Sequence, residues 1–156
     1  MSSFHSGQVE IRRAAETDAA SIRDLTRAAY QKWIPILGRE PVPMMADYDR
    51  AVREHVIDLL FSDGRLAGLI EMKGGTDHLL IVNIAVLPAF QRRGYGRRML
   101  AHAEEIATSL GFAEIRLHTG KLMQKNIRLY TRIGCRIDRE EPFKDTFTVN
   151  MSKRIE

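Results

Sequence analysis

The chain has 156 residues, 44% of them hydrophobic and 28% charged, which suits one soluble domain with a real core and argues against disorder or a repeat architecture. A single cysteine, Cys135, excludes an internal disulfide framework and a cysteine-rich zinc site, and no metal site of any kind is expected. The formal charge is +4, and 18 of the 24 basic residues are Arg, whose planar fork of donors suits phosphate and carboxylate.

Met1 to Gly7 has no basic region followed by an apolar core, and no apolar run approaches the ~20 residues of a membrane helix, so a cytoplasmic protein without membrane contact is expected. Val9 and Ile11 alternate with Glu10 and Arg12 as a short strand. Thr17 and Asp18 offer an N-cap and a first-turn acid for a helix carrying Ile22, Leu25 and Ala29, which should end between Tyr30 and Trp33. Ile34 to Pro43 holds three prolines and a glycine and reads as a loop. Met44 to Val56 is expected to be a second helix with the stripe Met45, Tyr48, Val52 and Val56.

Val56 to Phe61, Leu66 to Met72 and Leu79 to Leu87 predict three antiparallel strands, joined by Ser62-Asp63-Gly64-Arg65 and Gly74-Gly75-Thr76-Asp77. The last is nearly continuously apolar, as a central strand would be. A helix from Gly94 carries Met99, Ala103, Ile106 and Leu110 and closes at Gly111. Ile115 to Thr119 then completes a strand-helix-strand crossover, so the strands at 79–87 and 115–119 should be parallel. A short helix over Gln124 to Ile133, a strand from Cys135 and an alternating strand from Phe147 to Met151 follow, giving an α/β mixed sheet with helices on its faces.

The segment Gln91-Arg92-Arg93-Gly94-Tyr95-Gly96-Arg97-Arg98 lies between a buried strand and a helix start. Two glycines let backbone N–H groups converge on an anion, the helix terminus adds unpaired N–H groups, and four of eight residues are Arg. It lacks the Gly-Lys-Ser/Thr of a Walker A loop, and Met99 stands where a Rossmann fingerprint has its third glycine. Removing those four Arg leaves the rest of the chain neutral, which favours a local phosphate site over a nucleic-acid surface.

Asn83-Ile84-Ala85-Val86-Leu87-Pro88 followed by Gln91-Arg92-Arg93-Gly94-Tyr95-Gly96, with Asn126, Tyr130 and Gly134 downstream, resembles the GNAT family of N-acetyltransferases over nearly the whole chain, with Cys135 in place of the usual Phe. The resemblance implies a single acyltransferase domain, a central mostly antiparallel sheet with one parallel pair between its fourth and fifth strands, and acetyl-coenzyme A (acetyl-CoA) as cosubstrate. It implies that the backbone of Ile84, Ala85 and Val86 pairs with the pantetheine arm. The pyrophosphate would fall to Gln91, Arg92, Arg93, Gly94, Tyr95, Gly96 and Arg97, with Arg98 close by, and Asn126 and Tyr130 would also touch the coenzyme. Tyr130 would protonate the leaving thiolate. The acid that many relatives carry before Ala-Val is absent, and Glu71 on the preceding strand is the best carboxylate substitute as base. Asn83 could position a water, and His118 is a further candidate.

An amine acceptor would contact the region Tyr30 to Tyr48, with Tyr30, Trp33, Met45 and Tyr48 as candidates, and the connection from Glu140 to Asp145. Glu40, Asp47 and Asp49 would attract a cationic amine. The expected reaction is direct transfer to a small-molecule primary amine in a ternary complex. Protein N-terminal or lysine acetylation, and a non-catalytic acyl-CoA sensor, are the alternatives. Homodimer formation would use the strand Thr146 to Ser152 as an edge.

Overall fold

The computed structural model describes residues 8–155, so the reading of Met1 to Gly7 lies outside the described residues. The chain runs β1 (Val9–Arg13), α1 (Ala19–Tyr30), α2 (Ile34–Leu37), α3 (Tyr48–Glu54), β2 (Val56–Ser62), β3 (Arg65–Gly74), β4 (Leu79–Val86), α4 (Tyr95–Ser109), β5 (Glu114–Gly120), α5 (Gln124–Arg132), β6 (Arg136–Phe143) and β7 (Thr146–Arg154). Seven strands form one sheet in the order β1-β2-β3-β4-β5-β7-β6. All pairs are antiparallel except β4 with β5, as the crossover through α4 requires. The turn at Asp63 and Gly64 has φ of 51° and 83°, the doubly left-handed form that joins twisted hairpin strands tightly.

Several local expectations are corrected. Thr17 does not cap α1, which continues from a short 3-10 turn over Glu16–Asp18, where the Asp18 carboxylate accepts the Ala15 N–H at 2.7 Å and pairs with Arg12. The proline-rich stretch is not all loop: Pro35 sits in the first turn of α2, where its missing N–H costs nothing. The helix expected from Met44 starts only at Tyr48, because the side chain of Asp47 caps it by accepting the Arg50 N–H at 3.2 Å. Val56 already belongs to β2, and Met45 faces solvent. Leu110, past the end of α4, is exposed. The strand from Thr146 is not an edge: β7 inserts between β5 and β6, and β6 is the rim. Every residue of β6 is exposed, and its charges at Arg136, Asp138, Arg139, Glu140 and Glu141 discourage edge-to-edge pairing.

The sheet separates two cores. Leu79, Ile81, Met72, Met99, Leu100, Ala103 and Ile115 pack on the α4 face. Ile22, Leu25, Tyr48, Leu69 and Ala85 pack on the α1 and α3 face. Strand β4 contributes to both because it carries a bulge. Ile81 lies opposite Met72 and Asn83 opposite Glu71, so Val82 has no counterpart on β3. One extra residue reverses the alternation, and side chains that would face α4 turn toward α1. Leu69 is fully buried in the second core. Leu69→Ala should cost about 2–5 kcal/mol, read as a lower urea midpoint with an unchanged m-value.

Among the described residues, no helix is long and apolar enough to cross a membrane.

Candidate active site

The parallel pairing of β4 and β5 is brief. It joins Leu79 with Ile115, Leu80 with Arg116 and Ile81 with Leu117, and then the strands separate at the bulge. Val82 to Val86 and His118 to Gly120 therefore face a gap. The Leu87 N–H donates to Ala67 O at 2.9 Å, toward β3. Alternation then turns the N–H and C=O groups of Ile84 and Val86 into the gap. Side chains rather than a strand meet the two carbonyls there: Tyr30 Oη donates to Ile84 O at 3.3 Å, and Gln91 Nε2 to Val86 O at 2.9 Å. Ala85 turns its methyl into the α1 core, so it offers the gap only backbone.

One end of the gap is cationic. Arg92 and Gly94 both adopt left-handed φ, 68° and 82°, and bring the chain into α4. Gly94 occupies the N-cap without a side chain, and no acid sits in the first turn, so the first N–H groups of α4 are bare. Arg92, Arg93, Arg97 and Arg98 are exposed, and among the described residues none forms an ion pair. Arg93 lies over the Phe90 ring at 5.2 Å. The Lys32 ammonium meets Gln91 Oε1 at 3.0 Å; partial burial and the nearby Lys125 and Arg92 lower its pKa. Positive potential is thus concentrated where a diphosphate would neutralise it. Tyr95 enters the loop through its backbone N–H, and its side chain turns away. It is buried, and its hydroxyl bonds Ser62 Oγ at 2.7 Å, so it braces the loop from beneath and only its backbone faces the anion side.

The other end opens into a cavity of about 810 Å³. Asn126 and Tyr130, one turn apart on α5, both line it. Asn126 Nδ2 reaches Thr119 Oγ1 at 3.5 Å. Tyr130 is 5% exposed, and among the described residues its hydroxyl has no hydrogen-bond partner. Burial pushes its pKa up, so it stays protonated. Cys135 at the end of this helix is buried and its thiol is pushed up to about 11, which makes it a packing residue rather than a nucleophile.

Asn83 is a bracket. Its Oδ1 accepts from Tyr30 Oη at 2.8 Å, and its Nδ2 donates to Thr26 Oγ1 and Tyr48 Oη, each at 3.3 Å. Tyr48 Oη in turn donates to Pro43 O at 2.6 Å. Both amide hydrogens are committed, so Asn83 could hold a water only through its remaining carbonyl lone pair. Tyr30 and Tyr48 line the cavity as expected; Trp33 and Met45 do not. Trp33 is buried elsewhere beneath Lys32, and Met45 is 59% exposed. Of the three expected acids only Asp47 reaches the cavity, while Glu40 pairs with Arg27 and Asp49 lies near Arg23. Glu54, Glu71 and Glu141 line it too, against Arg39 and Arg50, so its wall carries an excess of carboxylates.

Glu71 faces this cavity beside Asn83, as alternation predicts, but it is not alone. Its Oε2 lies 2.5 Å from Nδ1 of His55, which sequence reasoning passed over. A single histidine between a helix and a strand carries no pattern; only the pairing of β2 with β3 brings it to Glu71. His118 also lines the cavity, and among the described residues its ring has no hydrogen-bond partner. The rim is spanned at one point. Arg39 stacks on the Phe143 ring at 5.6 Å and pairs with Asp145 at 3.6 Å, tying the chain after α2 to the turn between β6 and β7.

The sheet thus splits between two parallel strands, with a bare cationic helix start at one end and a walled cavity at the other. Residues 19–135 match the family model described as Acetyltransferase (GNAT) family, and the chain belongs to that family. A curated relative, Uncharacterized N-acetyltransferase YvbK of Bacillus subtilis (strain 168), is 36% identical over 73 residues, 46% of this chain and 47% of that protein. The chain thus spans about half the length of the curated relative it matches. Among solved structures, PaiA N-acetyltransferase from Thermoplasma acidophilum in complex with coenzyme A has the same fold, with a TM-score of 0.79 at 18% identity, covering 94% of this chain and 99% of that one. A Bacillus subtilis acetyltransferase in complex with CoA matches with a TM-score of 0.74 at 21% identity, covering 96% and 100%.

Proposed function

We propose that this protein is an acetyl-CoA-dependent N-acetyltransferase that acts on a primary amine of a small molecule by direct attack in a ternary complex. The observation that carries the reading is the gap between β4 and β5, which joins a bare, cationic helix start to a cavity holding an unpartnered tyrosine hydroxyl. Coenzyme A in the two solved relatives supports the cosubstrate. Its diphosphate would meet the N–H groups of Gly94 to Arg97 and the guanidinium groups of Arg92, Arg93 and Arg97. Its pantetheine arm would pair with Ile84 and Val86 as an added strand.

The amine nitrogen then attacks the thioester carbonyl carbon. An N–H of the Ile84 to Val86 segment stabilises the oxyanion. The C–S bond breaks as Tyr130 gives its proton to the thiolate. Burial that raises the phenol also raises a thiolate placed beside it, so both partners of the transfer shift in the same direction.

The Arg39 strap across the rim favours a small acceptor over a polypeptide, which would need an open groove. The carboxylate excess favours a cationic one. The test is thiol release from acetyl-CoA with polyamines, aralkylamines, amino acids and peptides side by side. Turnover of small amines with peptides inert is the expected outcome; turnover confined to peptides overturns the acceptor assignment. Coenzyme A at 100 times its Kd should stabilise the fold by about 2.7 kcal/mol, and no thermal shift at that excess overturns the cosubstrate.

A further inference from the structure

We propose that His55 is the general base of the transfer and that Glu71 is its positioning residue; this rests on the acetyltransferase reading above. The two side chains form a dyad in the cavity wall. Glu71 is 4% exposed on β3, in register with Asn83 on β4, and its carboxylate lies 2.5 Å from His55 Nδ1. A carboxylate accepts only from N–H, so it fixes the proton on Nδ1 and leaves Nε2 as the acceptor. Among the described residues nothing bonds Nε2, and the ring lines the cavity. This is how a base is oriented by a third group. Glu71 Oε2 is committed to the imidazole, which stands between that oxygen and the cavity. His118 lines the cavity from the far wall, but among the described residues it has no partner to set its tautomer.

The charged and titratable groups on the cavity wall besides the dyad are Asp47, Tyr48, Arg50 and Glu54 at α3, Tyr30 from α1, Arg39 after α2, and Tyr130, Glu141 and His118 from the far wall. Arg50 is engaged by Glu54 at 2.9 Å, so Glu71 is the counter-charge in contact with the ring.

The protons balance. The acceptor ammonium gives one proton to Nε2, which passes it to water, and the freed amine attacks the thioester. The second N–H proton, lost as the tetrahedral intermediate collapses, restores the one that Tyr130 gave to coenzyme A.

The test follows kcat/KM against pH with acetyl-CoA and spermidine, tyramine and an alanine-terminated hexapeptide as acceptors, for wild type, His55→Gln, Glu71→Gln, Glu71→Ala and His118→Gln. Coenzyme A affinity is measured by calorimetry on each. Wild type should show an acid limb of slope one. His55→Gln should lose that limb and about 10²-fold or more in kcat at unchanged coenzyme affinity. Glu71→Gln can still accept the Nδ1 proton and hold the tautomer, so it should keep the acid limb and most of kcat, whereas Glu71→Ala frees the ring and should lower kcat with KM and coenzyme affinity unchanged, a split that a purely structural pair would not produce. His55→Gln turning over within threefold of wild type with the limb intact, or the limb vanishing only in His118→Gln, overturns the base. Wild type that binds coenzyme A yet acetylates none of the three acceptors overturns the small-amine transferase reading and the base with it.

Discussion

Tyr130→Phe should lower kcat by about 10²-fold or more while leaving coenzyme A affinity within about twofold. The hydroxyl bonds nothing among the described residues, so its loss leaves no orphaned partner and the ring still fills its place in the core. What disappears is the proton for the leaving thiolate. A Phe variant as fast as wild type would remove Tyr130 from the reaction. The same burial has a consequence for stability. Tyr30, Tyr48 and Tyr130 are all raised by desolvation, Tyr30 also by the neighbouring Tyr130, Tyr48 and Glu71. In the unfolded chain they ionise near pH 10, and in the fold they do so only at higher pH. The unfolded state therefore loses protons first. Stability should be intact below about pH 10 and fall above it, visible as a declining urea midpoint.

Gly96→Asp should weaken coenzyme A binding by about 10²-fold or more without weakening the fold. A Cβ at Gly96 meets only Leu129 Cδ2, at an ordinary 3.7 Å, so the substitution fits. An acid in the first turn of α4 favours the helix by about 0.3–1 kcal/mol, because that turn has none now. Facing a diphosphate, the same charge repels: two unit charges about 4 Å apart cost about 4 kcal/mol at an effective dielectric of 20. Stability and affinity should thus move in opposite directions. Calorimetric titration with coenzyme A, beside thermal melts of the free protein, reads both. Unchanged affinity would place the diphosphate elsewhere.

Much of this was legible in the sequence because it depends on neighbours along the chain. The turns at 62–65 and 74–77 bounded β3, and the four-residue step placed Asn126 and Tyr130 together. The crossover length made β4 and β5 parallel. The arginines around Gly94 marked the anion end before any coordinates. What escaped depends on distant partners. Nothing local says that β7 inserts beside β5 and leaves β6 at the rim. Met45 and Leu110 fit helical stripes but lie beyond the helix ends that Asp47 and Gly111 impose. The partner of the Tyr95 hydroxyl, Ser62 Oγ on β2, is 33 residues away along the chain and follows from no local pattern. His55 belongs to no motif and becomes legible only across the β2–β3 hairpin.

The unmatched residue at Val82 also bears on how this scaffold can diversify. Leu79 and Ile81 before it pack beneath α4, whereas Asn83 and Ala85 beyond it serve the cavity wall and the core on the α1 face. The two halves of one strand thus answer to different selective demands. Changes that retune the acceptor wall need not be repaired in the core that carries the coenzyme loop, so one sheet can keep its donor while its clientele drifts.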